Sequence, residues 1–515
     1  MKIETEVLVI GGGLTGAGVL RDLTLRGVQA LLLERRDMDS GASGANHGLL
    51  HSGGRYVVHD PESAAECIGE NAILKRVASG CIEQTGGLFV GLPGDDESYA
   101  ADFMAAAARV GLDARVVPVD QALEQEPRLD RAITTAIEVP DASINPFMAT
   151  MANLADAAQR GARVMLNTQV TAMRRDAHRI TTVQCIDSRT GREIEIEAQQ
   201  IVSAAGPWVD RIAAMAGIEI GIAYSKGSLL VTNSRLTDRV INRLRPPGDG
   251  DIIVPGETVT ITGTTSIRVR NLDHLTTSAA EVDLLVERAS QMLPALRQAR
   301  FIRAYAGVRP LVASGAGSDR GLSRSFTVFD HEGDGLVNLA TVTGGKLTTY
   351  RLMAERVVDL ICRRLDNHTP CSTTQVPLPG SGEGITLDAR QRLARLSEPP
   401  PAGEVLCECE MVGREQVDRI IHSLLQAGQR PEPNALRLRC RLGMGSCQGG
   451  FCGFRTVGHL CRRGDLSGPE GNEVLIRFLE KRWGGIRPVL WGEQLRQEQL
   501  LEALYCGTLN IDGGL

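Results

Sequence analysis

The sequence predicts an α/β protein. A parallel sheet is assembled from separated stretches of chain, a strand-rich second domain is inserted between them, and a small cysteine-bearing module with a helical tail follows at the C-terminal end. Three observations predict this. Residues 6–36 read as strand, glycine turn, helix and strand. Strand–glycine–helix segments recur near residues 201–210 and 336–365. Beyond residue 403, four of the cysteines gather in two close pairs.

The opening unit carries the most information. Residues 7–10 (VLVI) form a continuous apolar run, as a parallel strand buried on both faces requires. Gly11, Gly13 and Gly16 follow in G-x-G-x-x-G spacing. The first permits a tight turn, the second lets the backbone approach a pyrophosphate, and the third lets the next helix pack closely on the strand. The free N–H groups and positive dipole end of that helix then face the phosphates. Residues 30–33 form the second strand, and Glu34 closes it at the distance where a carboxylate accepts from a ribose 2′-hydroxyl. Glycine turns are common and a triplet alone is weak. The apolar strand before it and the acid after it make dinucleotide binding the stronger reading.

Composition narrows the class. A chain of 515 residues has room for two to four domains and a large core. Apolar content of 43% and charged content of 23% are those of a soluble protein, and a net charge of −6 gives no reason to expect nucleic acid. The glycine motif begins at Gly11, leaving no room for a signal peptide before it, and no apolar run is long enough to cross a bilayer. A membrane link would then come through a partner or a surface helix. Twelve cysteines without an export signal point to metal or redox chemistry or inert burial rather than a disulfide scaffold.

Along the chain, residues 37–60 are loop chemistry rich in Gly, Ser, Asn and His, ending near Arg55 and Tyr56. Helices are expected at 148–160, 279–293 and after the TGGK turn at 343–346. A strand is expected over 163–171, and a hairpin over 180–198 with Thr190 and Gly191 at its turn. The recurring segments divide the chain into a discontinuous nucleotide domain (1–90, 140–225 and 330–368) and a second domain (91–139 and 226–329). A Pro-, Gly- and Ser-bearing connector (369–403), the cysteine module (404–465) and a tail (466–515) complete it, with the tail helix starting near Glu473.

In the module, Cys407 and Cys409 form a C-x-C pair and Cys447 and Cys452 a C-x4-C pair. Zinc and a [2Fe–2S] cluster both take four sulfurs. Zinc knuckles rarely use C-x-C, and the glycines of GMGSCQGGFCG offer backbone N–H groups that tune a cluster. Residues 430–463 hold Arg430, Arg437, Arg439, Arg441, Arg455, Arg462 and Arg463, an excess that would offset a cluster's negative charge or coat a surface. Cys440 and Cys461 flank the module but are read as ordinary thiols. NAD and FAD share the glycine fingerprint. An N-terminal motif, further nucleotide-like segments and a helix start at TGGK beside a ring favour FAD, and a flavin that releases electrons singly favours iron over zinc.

Long motifs carry a resemblance. NHGLLHSGGRY (46–56), KGSLL (226–230), YAGVRPLVAS (305–314), LSRSF (322–326) and GGKLTTYRLMAE (344–355) resemble FAD-dependent glycerol-3-phosphate dehydrogenases. CECE, GMGSCQGGFC and EKRWGGIRPVLWGEQLR resemble the A subunits of the anaerobic branch, whose cysteine module is similar to bacterioferritin-associated-ferredoxin-type [2Fe–2S] domains. The resemblance implies a Rossmann-like FAD domain of the glutathione-reductase/D-amino-acid-oxidase type with an inserted α+β substrate domain. It implies oxidation of sn-glycerol 3-phosphate to dihydroxyacetone phosphate, with electrons leaving through partner subunits, one a membrane-anchoring iron–sulfur protein, to quinone. A cytoplasmic place at the inner face of the membrane follows from the same resemblance.

Residue by residue, it implies Arg55, Arg309 and Arg324 as substrate contacts, His51 as the base with His47 its rival, and Lys346 at the alkoxide or flavin edge. Flavin contacts are expected at Gly11, Gly13, Gly16, Glu34, Ser43, Asn46, Gly206 and Gly345, and cluster ligation at Cys407, Cys409, Cys447 and Cys452. Each arginine could instead be a structural ion-pair partner, and Gly206 an ordinary strand-end turn. The tail residues Leu475, Phe478, Leu479 and Trp483, then Trp491, Leu495 and Leu504, form an amphipathic stripe for a partner or for their own domain. Two rivals remain at this stage: a flavin-dependent amino-acid or 2-hydroxy-acid dehydrogenase with an attached cluster, and an electron-transfer or assembly subunit without chemistry of its own.

Overall fold

The computed structural model describes residues 1–273, 275–312, 325–382 and 404–508. Strand Lys2–Ile10 is the centre of an eight-stranded sheet. It pairs in parallel with Ala30–Leu33 on one side and Glu193–Ser203 on the other. Arg163–Met165 extends the parallel run beyond Ala30–Leu33. Leu339–Gly344 extends it beyond Glu193–Ser203, with Phe326–Asp330 antiparallel at that edge. Val7, Leu8 and Val9 are completely buried because both faces of the sheet are covered. Helices Leu14–Leu25 and Tyr350–Arg364 pack on one face, and helix Val209–Met215 with a hairpin ribbon packs on the other. Each fully buried Val or Leu contributes about 1.5–3 kcal/mol, so this strand anchors the domain.

The ribbon departs from the sequence reading at one point. The stretch 163–171 is not one strand: it breaks at Asn167, whose φ of 55° lies in the left-handed region, into Arg163–Met165 and Thr168–Arg175. The first half stays in the parallel sheet, and the second turns away to pair with Ile180–Asp187. The hairpin's return strand, Glu193–Ser203, passes the turn at Gly191 and runs back into the parallel core.

A nine-stranded mixed sheet is built from Gly87–Gly91, Arg115–Val117, Thr135–Val139 and six strands between Ile222 and Val312. Its two longest strands, Ile222–Thr232 and Phe301–Val312, pair antiparallel along their whole length. Helix Ala279–Ala289 begins at a Ser278–Glu281 capping box and stops four residues before Leu293, where a 3-10 turn at Pro294–Arg297 takes over.

The C-terminal module is a short hairpin (Val405–Cys407 with Val412–Gly413) and four helices, Arg414–Gln426, Pro433–Cys440, Cys452–Arg463 and Gly468–Trp483. The last of these starts at Gly468, behind a Ser467–Glu470 capping box, earlier than the expected Glu473. In its packing it is no tail. Phe478 is fully buried against Gly443, Gly449 and Gly453, where an added Cβ would lie 2.6, 2.6 and 2.9 Å from its ring. Leu475, Leu479 and Trp483 are buried with it, whereas Trp491, Leu495 and Leu504 stay exposed. The amphipathic stripe therefore splits between core and surface.

The part of the connector that is described, up to residue 382, is pinned to the first domain. Leu378 N donates to Val77 O at 2.7 Å, and Arg21 Nη2 donates to Val376 O at 2.9 Å. The proline triplet at Pro399, Pro400 and Pro401 lies outside the described residues. Among the described residues no helix is long and apolar enough to cross a membrane.

Candidate active site

A cavity of about 1010 Å³ runs from the ends of the parallel strands to the face of the second sheet. Its first end is the glycine turn. Gly11 has φ 119° and passes so close to the next strand that a Cβ would lie 2.5 Å from Ala204 O. A Cβ on Gly16 would collide with Gly11 O, so Gly16 sits behind the cavity and serves the close helix–strand packing. Gly13 is open to the cavity. Ser43 Oγ accepts from Leu14 N at 3.0 Å, at the start of the helix. Glu34 Oε2 accepts from Gly12 N at 2.8 Å and Oε1 from Arg36 N at 2.9 Å; burial raises its carboxyl pKa, and those two N–H groups oppose the rise.

Two residues absent from the sequence-based set complete this end. Arg35 stacks over the Trp208 ring at 4.1 Å, and both line the cavity. Their only sequence signal is adjacency, Arg35 to Glu34 and Trp208 to the Gly206 turn.

The middle is closed by loops. Gly206 has φ 56°, and its carbonyl accepts from Thr343 Oγ1 at 3.3 Å, tying two strand ends together. Gly345 has φ 69°, and a Cβ there would lie 2.6 Å from Met353 Sδ. A 3-10 turn, Leu347–Thr349, then leads into helix Tyr350–Arg364, and Lys346, Leu347 and Tyr350 face the cavity. The Asn46 side chain is taken up by its own loop: Nδ2 donates to Ala42 O at 3.2 Å and Ser43 O at 2.6 Å, and Oδ1 accepts from Gly48 N at 2.7 Å. It shapes the wall through the backbone.

The far end gathers His47, His51, Arg55, Tyr56, Arg309 and Lys346. The rings of His47 and His51 lie edge to face at 5.7 Å, those of His51 and Tyr56 at 5.4 Å, and Lys346 Nζ is 5.0 Å from the Tyr56 ring centre and 3.6 Å from Glu66. Arg309 bonds to Thr264 Oγ1 and donates to Thr265 O at 3.2 Å. Its guanidinium fills the space left by Gly227, where a Cβ would lie 2.5 Å from Nη2. Arg55 donates to Gly248 O at 3.3 Å and lies 3.5 Å from Asp251. Three cations thus converge on one wall.

The two histidines differ. Burial, reinforced by Arg309 and Arg55, holds His47 down to a pKa of about 3, and its Nδ1 accepts from Leu49 N at 3.1 Å. Its remaining proton is therefore on Nε2, and it has no lone pair to offer. His51 is anchored by its backbone N–H to Thr348 Oγ1 at 2.9 Å. The neighbouring Ser52 N–H donates to the buried Asp141 at 2.7 Å. Arg324 lies outside the described residues.

In the C-terminal module the four expected thiols meet. Cys407 contacts Cys452, and Cys447 contacts both Cys409 and Cys452. Hydrogen bonds from Cys409 and Cys452 hold the Cys447 thiol well below its ordinary range. Cys407 and Cys452 are buried, whereas Cys409 and Cys447 are partly exposed. Gly445 leaves the room that Cys409 needs, since a Cβ there would collide with the cysteine's own. Among the described residues no group of three or more His, Cys, Asp or Glu side chains is arranged to hold a metal ion. Four thiols in mutual contact, running Cys407, Cys452, Cys447, Cys409, are the donor set that a [2Fe–2S] cluster would take. Cys440 stands apart: burial pushes its thiol up to about 12, and it donates to Leu436 O. Cys461 Sγ donates to Ser467 O at 3.7 Å and packs against Gly471.

Most of the module's arginine excess is already matched. Arg430 pairs with Glu470, Arg439 with Asp37, Arg441 with Glu410 and Glu257, Arg455 with Glu408, and Arg463 with Asp418 and Asp465.

A glycine turn open to one end of a long cavity and a cationic wall at the other are what an oxidoreductase built on an extended dinucleotide requires. The family profile described as FAD dependent oxidoreductase matches residues 6–360. The A subunit of anaerobic glycerol-3-phosphate dehydrogenase from Escherichia coli K12 is 41% identical over 99% of this chain and 97% of its own length. Its counterpart from Haemophilus influenzae is 40% identical over 99% and 94%, and subunit A1 from Haloferax volcanii 37% over 99% and 92%. The chain belongs to this family of FAD-dependent oxidoreductases, the anaerobic glycerol-3-phosphate dehydrogenase A subunits. The fold is shared with the glycerol-3-phosphate dehydrogenase of Bacillus halodurans solved with FAD (TM-score 0.63, 21% identity, 95% of this chain and 96% of that one). It is shared also with glycine oxidase from Geobacillus kaustophilus (TM-score 0.56, 22% identity, 73% and 98%).

Proposed function

We propose that this chain oxidises sn-glycerol 3-phosphate to dihydroxyacetone phosphate and sends the electrons out through an iron–sulfur centre to partner subunits and the quinone pool. The observation that carries the reading is the convergence of Arg55, Arg309 and Lys346 on the cavity whose other end is the glycine turn. FAD, when bound, supplies the ring that accepts the hydride. A phosphate dianion calls for more than one cation, and arginine forks give it parallel, charge-assisted bonds. An amino-acid or 2-hydroxy-acid substrate would bring a single carboxylate, one negative charge where a phosphate brings two.

Each residue then has a task. Arg309 and Arg55 hold the phosphate, with Arg324 a third candidate. His51 takes the proton of the secondary hydroxyl; His47, kept neutral with its acceptor nitrogen engaged, holds the loop. Lys346 stabilises charge on the substrate oxygen. Gly11, Gly13, Glu34, Ser43, Gly206 and Gly345 hold the cofactor directly, while Gly16 and Asn46 shape its bed. Cys407, Cys409, Cys447 and Cys452 hold a [2Fe–2S] cluster, which takes electrons singly. The first acceptor outside the chain is another subunit, an iron–sulfur protein anchored in the membrane, and this places the chain at the inner membrane face.

Anaerobic mixing tests the reading. Glycerol 3-phosphate bleaches the flavin band, and proline, glycine and 2-hydroxyglutarate do not. Bleaching by one of those three instead, or by no small substrate at all in FAD-loaded protein, would overturn it.

A further inference from the structure

Three arginines meet where the C-terminal module packs on the second sheet, and the carboxylate whose charge reaches Arg437, Asp37, is already gripped by Arg439. Arg303 comes from strand Phe301–Val312, Arg437 from helix Pro433–Cys440 and Arg482 from the last turn of helix Gly468–Trp483. None makes an ion pair among the described residues. Arg437 is 8% exposed and Arg482 3% exposed, and the Nε of each is buried without a hydrogen-bond partner. Arg303 donates to Arg482 O at 2.9 Å. Burial lowers the pKa of all three, and the other cations lower Arg437 and Arg482 further. Burying charge this way is costly unless an opposite charge stands nearby.

A cluster held by the four thiols would supply that opposite charge. Arg482 bonds to Gln448 Oε1, and Gln448 is itself fixed by Nε2 bonds to Met444 O at 3.0 Å and Gly445 O at 2.8 Å. Gln448 adjoins Cys447 in sequence, and Arg482 also packs on Gly449, where a Cβ would lie 3.7 Å from its Cγ. A cluster on four thiolates is anionic when oxidised and gains a further negative charge when reduced. A fixed buried cation beside it stabilises the reduced form more.

We infer that Arg482, buttressed by Arg303 and Arg437 and oriented by Gln448, is the built-in counter-charge of the cluster site and sets its reduction potential. The inference rests on the [2Fe–2S] reading of the four thiols. It differs from a general arginine excess, because the exposed arginines of the module are mostly spent on carboxylates, and two of the three residues concerned lie outside residues 404–465.

The test is a redox titration of the purified, cluster-loaded chain followed by EPR. Arg482→Met lowers the equilibrium constant for one-electron reduction about tenfold, which is a fall of about 59 mV. Arg482→Lys keeps most of the wild-type potential, and Arg462→Met, on the exposed side of the module, leaves it unchanged. Should Arg482→Met fail to take up the cluster, Arg437→Met is titrated in its place, with a smaller fall expected. An unshifted potential in the titrated variant, with iron and sulfide present in the wild type, overturns the inference. Wild-type protein that holds no iron and sulfide overturns the cluster reading instead.

Discussion

Tyr305 donates its hydroxyl to the backbone carbonyl of Asn46 at 2.7 Å, joining the second sheet to the loop that walls the cavity. Its alternate neighbours on strand Phe301–Val312 point to the same face. Arg303 reaches the carbonyls at the end of helix Gly468–Trp483, Gly307 lies so close to Ala45 that a side chain would collide with it, and Arg309 enters the cavity. One face of one strand therefore touches the cysteine module, the loop at Ala45 and Asn46 and the cationic wall in succession.

Arg309→Ala is expected to raise KM for glycerol 3-phosphate strongly with FAD retained, because a buried phosphate loses a charge-assisted pair, about 2–5 kcal/mol. Gly227→Ala should act in the same direction, since its Cβ would fall 2.5 Å from the guanidinium. Steady-state kinetics alongside the flavin spectrum check both; unchanged KM in Arg309→Ala removes that residue from the site.

His51→Gln is expected to slow flavin reduction by substrate about 10²–10⁴-fold, the usual contribution of a positioned base. His47→Gln should cost much less, because its Nδ1 is occupied by Leu49 N–H and it does not charge at working pH. Anaerobic stopped-flow traces of the two variants separate them, and equal losses would reverse the assignment.

Cys447→Ser is expected to leave flavin reduction by substrate intact while stopping electron transfer to the physiological acceptor. The thiols lie in a module away from the cavity lining, so the two half-reactions should part. Loss of substrate-driven bleaching in a correctly folded variant would contradict that separation.

Glu281 supplies a pH test of stability. Burial works against its charge, but bonds from Lys226 Nζ at 2.8 Å, Ser278 N at 3.0 Å and Ser228 Oγ at 2.7 Å outweigh it and lower the carboxyl from near 4.5 to about 2. A depressed carboxyl contributes stability above its unfolded pKa and loses it as pH falls through the folded one. Denaturant midpoints should thus decline between pH 4.5 and about 2, and Glu281→Gln should be less stable at neutral pH with a shallower decline.

The glycine turn, Glu34 and the apolar strand were legible because local chemistry fixes them: spacing alone gives the turn, and an unbroken apolar run marks a strand covered on both faces. The split at Asn167 was not, because a lone asparagine, though more tolerant of the left-handed region than most side chains, is a weak mark inside an otherwise strand-like run. The Phe478 helix looked like a tail because its partners, Gly443, Gly449 and Gly453, are far off in sequence and have no side chains to signal a packing seat. The Arg35–Trp208 stack and the Arg303–Arg437–Arg482 group were hidden for a related reason. Each is assembled from distant elements, and nothing in the neighbouring residues distinguishes these cations from those that end in surface ion pairs.

Arg439 grips Asp37 with both ends of its guanidinium, at 3.0 Å each, and so clamps helix Pro433–Cys440 to the turn that follows the second parallel strand. Together with the Arg441–Glu257 bridge at 3.2 Å, this ties the thiol-bearing module to both sheets. Such a module has no swing to perform between loading and unloading. Charge movement inside the chain should then proceed at a pace indifferent to sucrose-thickened solvent, unlike enzymes whose carrier domains must diffuse between stations.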